Sequence, residues 1–196
     1  MAPGTSAQTM TPHFTLFPTP IGTCAIAWSN GKVCASHLPE ASPELTASRI
    51  AKRAGGATEA APPGFVRDAI AGILDLLAGN PNDLAFIDYD FTGLSPLQTG
   101  VYQLARQIPP GNTRTYGDLA IDLGDKSYAQ AVGKALGDNP FPIIVPCHRI
   151  LGAGGKLTGF SAGGGVNTKL RLLEIERAQV GTAPTLFDNL PLALKK

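Results

Sequence analysis

The chain has 196 residues, 43% hydrophobic and 16% charged, which is the composition of an ordinary soluble globular protein with one large or two small domains. No apolar run approaches the ~20 residues that span a bilayer, and the N-terminus lacks the charged and apolar regions of a secretory signal. A net charge of +1 excludes a general attraction to nucleic acid, and three cysteines cannot complete a disulfide framework, which favours a reducing, cytoplasmic location.

The first part of the chain, residues 1–94, is predicted to be an α+β domain with a small antiparallel sheet. Asn30-Gly31 predicts a tight hairpin, because both turn residues tolerate a positive φ. Ser42 and Pro43 are typical of a helix start, and Gly55-Gly56 of a helix end. No catalytic cluster is visible here, so we expect a scaffold. The predicted elements in chain order are strands at 13–17, 24–28 and 32–36, helices at 43–54 and 65–77, and a strand at 84–89.

The second part, residues 95–178, is predicted to be helical, and residues 179–196 a flexible tail. Ser95-Pro96 indicates the boundary, since it reads as a helix N-cap followed by a first-turn proline. The second and third helices of this part have the dimensions of a helix-turn-helix. Net charge changes from −3 over residues 1–100 to +3 over residues 101–177, which permits phosphate contact but equally fits a mixed solvated surface. The predicted helices are 97–108, 116–123, 128–136 and 168–177, capped by Ser95, Thr115, Ser127 and Asn167.

The most informative segment runs from Asn139 to Arg149 and contains Pro-Cys-His-Arg at its end. Three prolines fix φ, remove backbone donors and favour extended neighbours, so the segment is neither a helix nor a long central strand. A solitary cysteine is more often a packed core residue than a reactive one. Here the stiff approach and the adjacent His148 and Arg149 favour a reactive Cys147, because nearby cations lower a thiol pKa.

Pro-Cys-His-Arg with its Asn-Pro-x-Pro lead-in and the glycine-rich loop that follows resembles the active-site signature of the O6-alkylguanine-DNA alkyltransferases, or methylated-DNA–protein-cysteine methyltransferases. The similarity extends from about Ser95 to Arg177. It implies an RNase H-like N-terminal domain, a winged-helix C-terminal domain and a monomer that acts without a cofactor or metal. The implied function is irreversible, single-turnover transfer of an alkyl group from O6-alkylguanine, or O4-alkylthymine, in double-stranded DNA to the cysteine.

The resemblance also implies roles for individual residues. The acceptor would pass its proton to a histidine, through a water, and an acid would orient that histidine. One residue departs from the family, in which an arginine commonly enters the base stack: this chain has glutamine. The implied assignments are Cys147 as acceptor, His148 as base, Glu174 as orienting acid, Tyr116 and the Ser161 backbone N–H as contacts to the purine, Gln130 as the residue entering the stack, and Asn139 as a hinge.

Other interpretations of these residues remain open at this stage. Tyr116 can be an ordinary core aromatic and Glu174 a solvated helix charge. The glycines from 152 to 165 lack the spacing of a nucleotide loop. Cysteine and histidine residues of the first part invite a metal site, but none lies in a C-x-x-C pair. These are Cys24, Cys34, His13 and His37.

Three rival functions are a damage-binding protein without transfer, a thiol hydrolase and a structural DNA-binding module. The acceptor-type cysteine argues against the first. The second needs a direct Cys-His hydrogen bond, and adjacent side chains on an extended segment point apart. The third predicts that the cysteine is dispensable.

Overall fold

The computed structural model describes residues 11–160 and 164–178. In the first part, a four-stranded sheet has the strand order β3-β2-β1-β4. The first three strands are antiparallel, as predicted, while β4 pairs in parallel with β1 and makes the sheet mixed. Its elements are β1 (His13–Thr19), β2 (Gly22–Ser29), β3 (Lys32–His37), α1 (Pro43–Arg53), β4 (Thr58–Glu59) and α2 (Gly64–Leu77).

Alternating side chains of β2 face two apolar layers, as the two-residue period of a strand requires. Ala25 and Ala27 pack in a cluster that includes Ile50 of α1. Ile26 and Trp28 belong to a larger cluster with α2. The predicted hairpin is confirmed, with φ of 51° at Asn30 and 77° at Gly31.

The strand predicted at 84–89 is wrong. Leu84 has a φ of 58°, and the Ile87 N–H donates to the Leu84 carbonyl in a turn. Only Tyr89 makes a bridge, to Val33. Leu84, Ile87 and Tyr89 are nevertheless buried, which explains the strand-like apolar pattern. Burial without extension produced this error.

The second part contains four α-helices and a two-stranded parallel sheet, β5 with β6. Capping boxes at Ser95 and Thr115 begin α3 and α4 as predicted. The large apolar cluster continues from the first part into this one, so the division at Ser95 stays a prediction. The elements are α3 (Pro96–Arg106), β5 (Arg114–Thr115), α4 (Tyr116–Asp122), α5 (Ala129–Gly137), β6 (Ile150–Leu151) and α6 (Gly165–Ile175).

Two predicted caps are wrong. The side chain that caps the turn before α5 is Asp125, which accepts from the Ser127 N–H, and a 3₁₀ turn separates it from the helix. Helix α6 begins before Asn167, after Gly164 with a φ of 78°, a left-handed conformation that glycine adopts without strain. The predicted tail at 179–196 lies outside the described residues. Within the described ranges, no helix has the length and apolarity needed to cross a membrane.

Candidate active site

Cys147 lies at a cavity of about 450 Å³ between α4, α5 and the glycine-rich loop. Tyr116, the first residue of α4, and Gly133 of α5 form part of its wall. The thiol belongs to a buried residue that keeps 9% of its surface exposed, so a ligand in the cavity could reach it. The lining residues are Tyr116, Gly133, Leu136, Gly137, Cys147, Thr158, Gly159 and Phe160.

The segment that carries the thiol, residues 139–147, is held by the Asn139 side chain. Its Nδ2 donates to the Val145 carbonyl at 2.9 Å, and its Oδ1 accepts from the Phe141 N–H at 2.9 Å. Ile143 has a φ of 74°, which is strained for a β-branched residue. One buried amide thus braces this bent loop from within, and a 3₁₀ turn at Cys147–Arg149 follows it.

Behind the thiol, His148 and Arg149 share the carboxylate of Glu176. His148 Nε2 lies 2.9 Å from Oε1, and Arg149 donates Nε to Oε2 at 2.8 Å and Nη2 to Oε1 at 2.7 Å. A further Arg149 bond, from Nη1 to the Ile108 carbonyl at 2.6 Å, completes its burial. The side chains of His148, Arg149 and Glu176 are each at most 2% exposed. This is a fully buried ion cluster with a bidentate arginine.

The prediction that Glu174 orients His148 is wrong, because Glu176 takes that place. Glu174 is 55% exposed and faces Arg171 at 3.6 Å on the outer surface of α6. Two residues along a helix differ by about 200° in direction, so these two glutamates cannot serve the same site. Glu176 follows the last turn of α6, where its carboxylate reaches His148.

The tautomer of His148 follows from its partners. Burial lowers its pKa, as do Arg149 and Lys169, while Glu176 raises it. The ring is therefore neutral at pH 7, and Nε2 donates to the carboxylate. Burial raises the pKa of Glu176, but the bonds from His148 and Arg149 outweigh it and lower the pKa to about 2. Nδ1 is left buried without a partner among the described residues, free to accept a proton.

A buried lysine that the sequence analysis missed completes the site. Lys169 of α6 is 0% exposed, and its Nζ donates to the carbonyls of Ile150 at 2.5 Å and Thr158 at 3.3 Å. The same Nζ lies 5.8 Å from the centre of the Tyr116 ring. Burial lowers the pKa of Lys169 to about 8, against the raising effect of Cys147. A cation thus lies between the loop, the phenol and the thiol.

The thiol pKa is governed by burial, which raises it. The Asn139 side chain, Lys169 and nearby backbone N–H groups lower it by smaller amounts. The expectation that the side-chain charges of His148 and Arg149 lower it is wrong: His148 acts only through its backbone N–H, and the charge of Arg149 is engaged by Glu176. Cys147 is therefore a protonated thiol at rest, and a base is needed to ionise it.

The residues considered for a metal site are separated in the structure. His13 Nδ1 lies 3.1 Å from Thr58 Oγ1, and His37 Nε2 lies 2.9 Å from Glu40 Oε1. Burial raises the pKa of Cys24 to about 12. In the described part of the chain, no three His, Cys, Asp or Glu side chains are grouped to hold a metal ion.

The sequence and the fold were compared with known proteins. Residues 96–178 match the family described as 6-O-methylguanine DNA methyltransferase, DNA binding domain. A Mycobacterium leprae methylated-DNA–protein-cysteine methyltransferase is 45% identical over 125 residues, which cover 64% of this chain and 73% of the relative.

The chain belongs to the methylated-DNA–protein-cysteine methyltransferase family. The crystal structure of Mycobacterium tuberculosis O6-methylguanine methyltransferase superposes with a TM-score of 0.69 and 34% identity, covering 85% of this chain and 93% of the other. Mycobacterium tuberculosis OGT in complex with DNA gives a TM-score of 0.66 at 34% identity, covering 84% of this chain and 92% of the other.

In this methyltransferase the fold brings only some of the predicted site residues together. Cys147 and Tyr116 line the cavity, Asn139 braces the segment that carries the thiol, and His148 directly follows Cys147. Gln130 is exposed on α5 and does not line the cavity. Ser161 lies outside the described residues. Lys169 could have been noticed in the sequence, because it shares the buried helix face of Leu172 and Leu173 at i+3 and i+4. Glu176 carried no such signal.

Proposed function

We propose that the protein repairs DNA by direct reversal, moving the alkyl group of O6-alkylguanine or O4-alkylthymine onto the sulfur of Cys147. The observation that carries this proposal is a solitary thiol at a cavity, beside a buried neutral histidine whose Nδ1 is unpaired. Membership of the methyltransferase family and the DNA complex of a relative support it. The geometry of the site supports a role for particular groups in each step.

The chemistry is a displacement at carbon. His148 Nδ1 takes the thiol proton by way of a water molecule, and Glu176 stabilises the imidazolium through Nε2. The sulfur lone pair forms the S–C bond as the C–O6 bond breaks. The electrons of the C–O6 bond pass to the guanine. Tyr116 donates its hydroxyl proton to the purine, assisted by the neighbouring Lys169 cation, and regains a proton from the His148 imidazolium through water. The products are guanine and a thioether.

Reaching the lesion requires extrusion of the nucleotide from the duplex, at a cost of a few kcal/mol. We assign the approach to α5, where Gly133 forms part of the cavity wall beside Tyr116 and leaves room for the extruded base. Gln130, exposed on this helix, would fill the space left in the stack. A damaged pair opens more easily, which contributes to selectivity.

The reaction should occur once per molecule, because a thioether is stable and the described residues near Cys147 offer no second thiol. Cys24 and Cys34 are both free, and both lie in the sheet of the first part. The acceptor must be reduced to react, so we propose a cytoplasmic protein. Action as a monomer on DNA, without a cofactor, is part of the same proposal.

The test is incubation of the protein with a duplex carrying labelled O6-methylguanine. We expect one methyl group per chain, on the Cys147 peptide, and none with Cys147→Ala. Label on another residue or more than one transfer per chain would refute the assignment. Binding of the damaged duplex without transfer would instead indicate a damage-binding protein, and cleavage of a chromogenic ester a thiol hydrolase.

A further inference from the structure

The sheet of the first part holds the acceptor segment, residues 139–147, through its backbone carbonyls. Ser36 at the end of β3 donates its N–H to Pro140 O at 2.9 Å and its Oγ to Pro142 O at 2.8 Å. Arg53, the last residue of α1, donates Nη1 to Asn139 O at 2.7 Å. Two residues thus bind three carbonyls within four positions of the segment, across sequence separations of 86 and 106 residues.

These carbonyls belong to a part of the segment that has few backbone hydrogen-bond donors of its own. Pro140 and Pro142 have no N–H and cannot donate a backbone hydrogen bond, and the pairing of Pro142 is limited to an isolated bridge with Val145. Ile143 is kept at a φ of 74°, a strained conformation that persists only where the surrounding structure imposes it. Bonds inside the segment come from the Asn139 side chain and from the N–H groups of Val145 and Cys147. Ser36 and Arg53 supply the external restraint.

Arg53 also lies close to the thiol. A small cavity of about 30 Å³ is bordered by Arg53, Asn139 and Cys147 together. Burial lowers the pKa of Arg53, and the charges of Cys147 and Glu40 are among the groups that raise it. The Arg53 side chain nevertheless remains exposed to solvent, and its bond to the Asn139 carbonyl anchors the guanidinium beside the segment that the Asn139 side chain also contacts.

We propose that Ser36 and Arg53 are positioning residues for the transfer: they fix the acceptor segment so that the Cys147 sulfur faces the cavity in line with the departing oxygen. This inference rests on the proposed function. It makes the first part of the chain a component of the catalytic apparatus, although none of its residues lines the main cavity.

The experiment compares Arg53→Ala, Arg53→Lys and Ser36→Ala with the control Arg49→Ala, which removes an exposed arginine one turn earlier on the same helix. Each full-length variant is mixed in excess with labelled O6-methylguanine duplex. The experiment measures the single-turnover rate constant at saturating protein, the Kd for the duplex, and the rate at which iodoacetamide modifies the Cys147 peptide.

For Arg53→Ala we expect a maximal transfer rate about 10-fold to 100-fold lower with an unchanged Kd, since a small misplacement of the sulfur affects transfer and not binding. Arg53→Lys should recover most of the rate, and Arg49→Ala should match wild type. Should Arg53→Ala fail to fold, Ser36→Ala decides, because it removes one hydroxyl and keeps the Ser36 N–H bond.

Wild-type transfer rates in Arg53→Ala, or in Ser36→Ala if that variant decides, would overturn the proposal. So would an equal loss in Arg49→Ala, or a loss confined to Kd. Absence of methyl transfer in the wild-type protein would instead refute the proposed function, so the two failures are distinguishable.

Discussion

The Nε2 atom of His148 lies 2.9 Å from Oε1 of Glu176, and this contact determines which ring nitrogen can act on the thiol. Glu176 is ionised and accepts two hydrogen bonds from Arg149, so it also accepts a hydrogen bond from Nε2 of His148. The free Nδ1 is then the basic atom. The buried ion cluster therefore sets the tautomer of a base that precedes it by 28 residues.

The first prediction compares Glu176→Gln with Glu174→Gln. Glu176→Gln leaves the buried Arg149 without its counter-charge, so the free energy of unfolding should fall by about 3–5 kcal/mol. Transfer should slow by about 100-fold, since His148 loses its orienting partner. Glu174→Gln should change stability by less than about 1 kcal/mol, because its pair with Arg171 is exposed. Urea unfolding and single-turnover transfer provide the measurements. Equal effects of the two changes would contradict the assignment.

Acid stability provides a second prediction. The pKa of Glu176 falls from 4.5 to about 2 on folding, so its ionisation stabilises the fold above pH 4.5 and this contribution is lost as pH falls toward 2. The loss should be roughly 2–3 kcal/mol in the wild-type protein. Urea unfolding at several pH values should show a weaker pH dependence over this window in Glu176→Gln. An unchanged slope would exclude this carboxylate as the source.

The pH dependence of transfer tests the state of His148. Because burial lowers its pKa below 6.5, the ring stays neutral and able to accept a proton at pH 6.5. Maximal transfer rates should therefore decline only below that pH. The measurement is single-turnover transfer between about pH 5 and 8 at constant ionic strength. A midpoint at or above 6.5 would mean that another group is the base.

Lys169 should influence the thiol directly. Lys169→Met keeps the length of the side chain and removes its charge, so the pKa of Cys147 should rise further. We expect slower iodoacetamide modification of the Cys147 peptide at pH 7, where Lys169 with its pKa of about 8 is charged, and slower methyl transfer. Lys32→Met, which removes an exposed lysine paired with Asp88, is the control. Identical thiol reactivity in both variants would show that the buried cation does not act on the sulfur.

Substitutions at Gln130 should produce a gain of function. Gln130→Arg adds a positive charge on α5, which should strengthen duplex binding and steepen its salt dependence by about 0.9 in the logarithmic slope. Gln130→Lys adds the same charge without the planar group that stacks on bases. We expect both variants to bind more tightly and only arginine to accelerate transfer on duplex relative to single-stranded substrate. Equal acceleration of transfer in both variants would indicate that the added charge alone, and not the planar group, is responsible.

Local signals predicted much of the fold. The capping boxes at Ser95 and Thr115 and the hairpin at Asn30-Gly31 depend on residues within three or four positions of one another, so the sequence is sufficient. The strand predicted at 84–89 failed because an apolar pattern reports burial, and Leu84 is buried in a turn.

The sequence by itself determined the reactive segment, because the prolines and Asn139 restrict the backbone over a short range. This restriction identifies Cys147 as the functional residue of the segment. Tertiary structure alone decided which groups surround the thiol. Glu176 and Lys169 reach the site across a loop whose path cannot be read from residue spacing, and Ser36 and Arg53 reach it across about half the chain. Contacts between distant residues depend on how the whole core packs, and no local pattern encodes them.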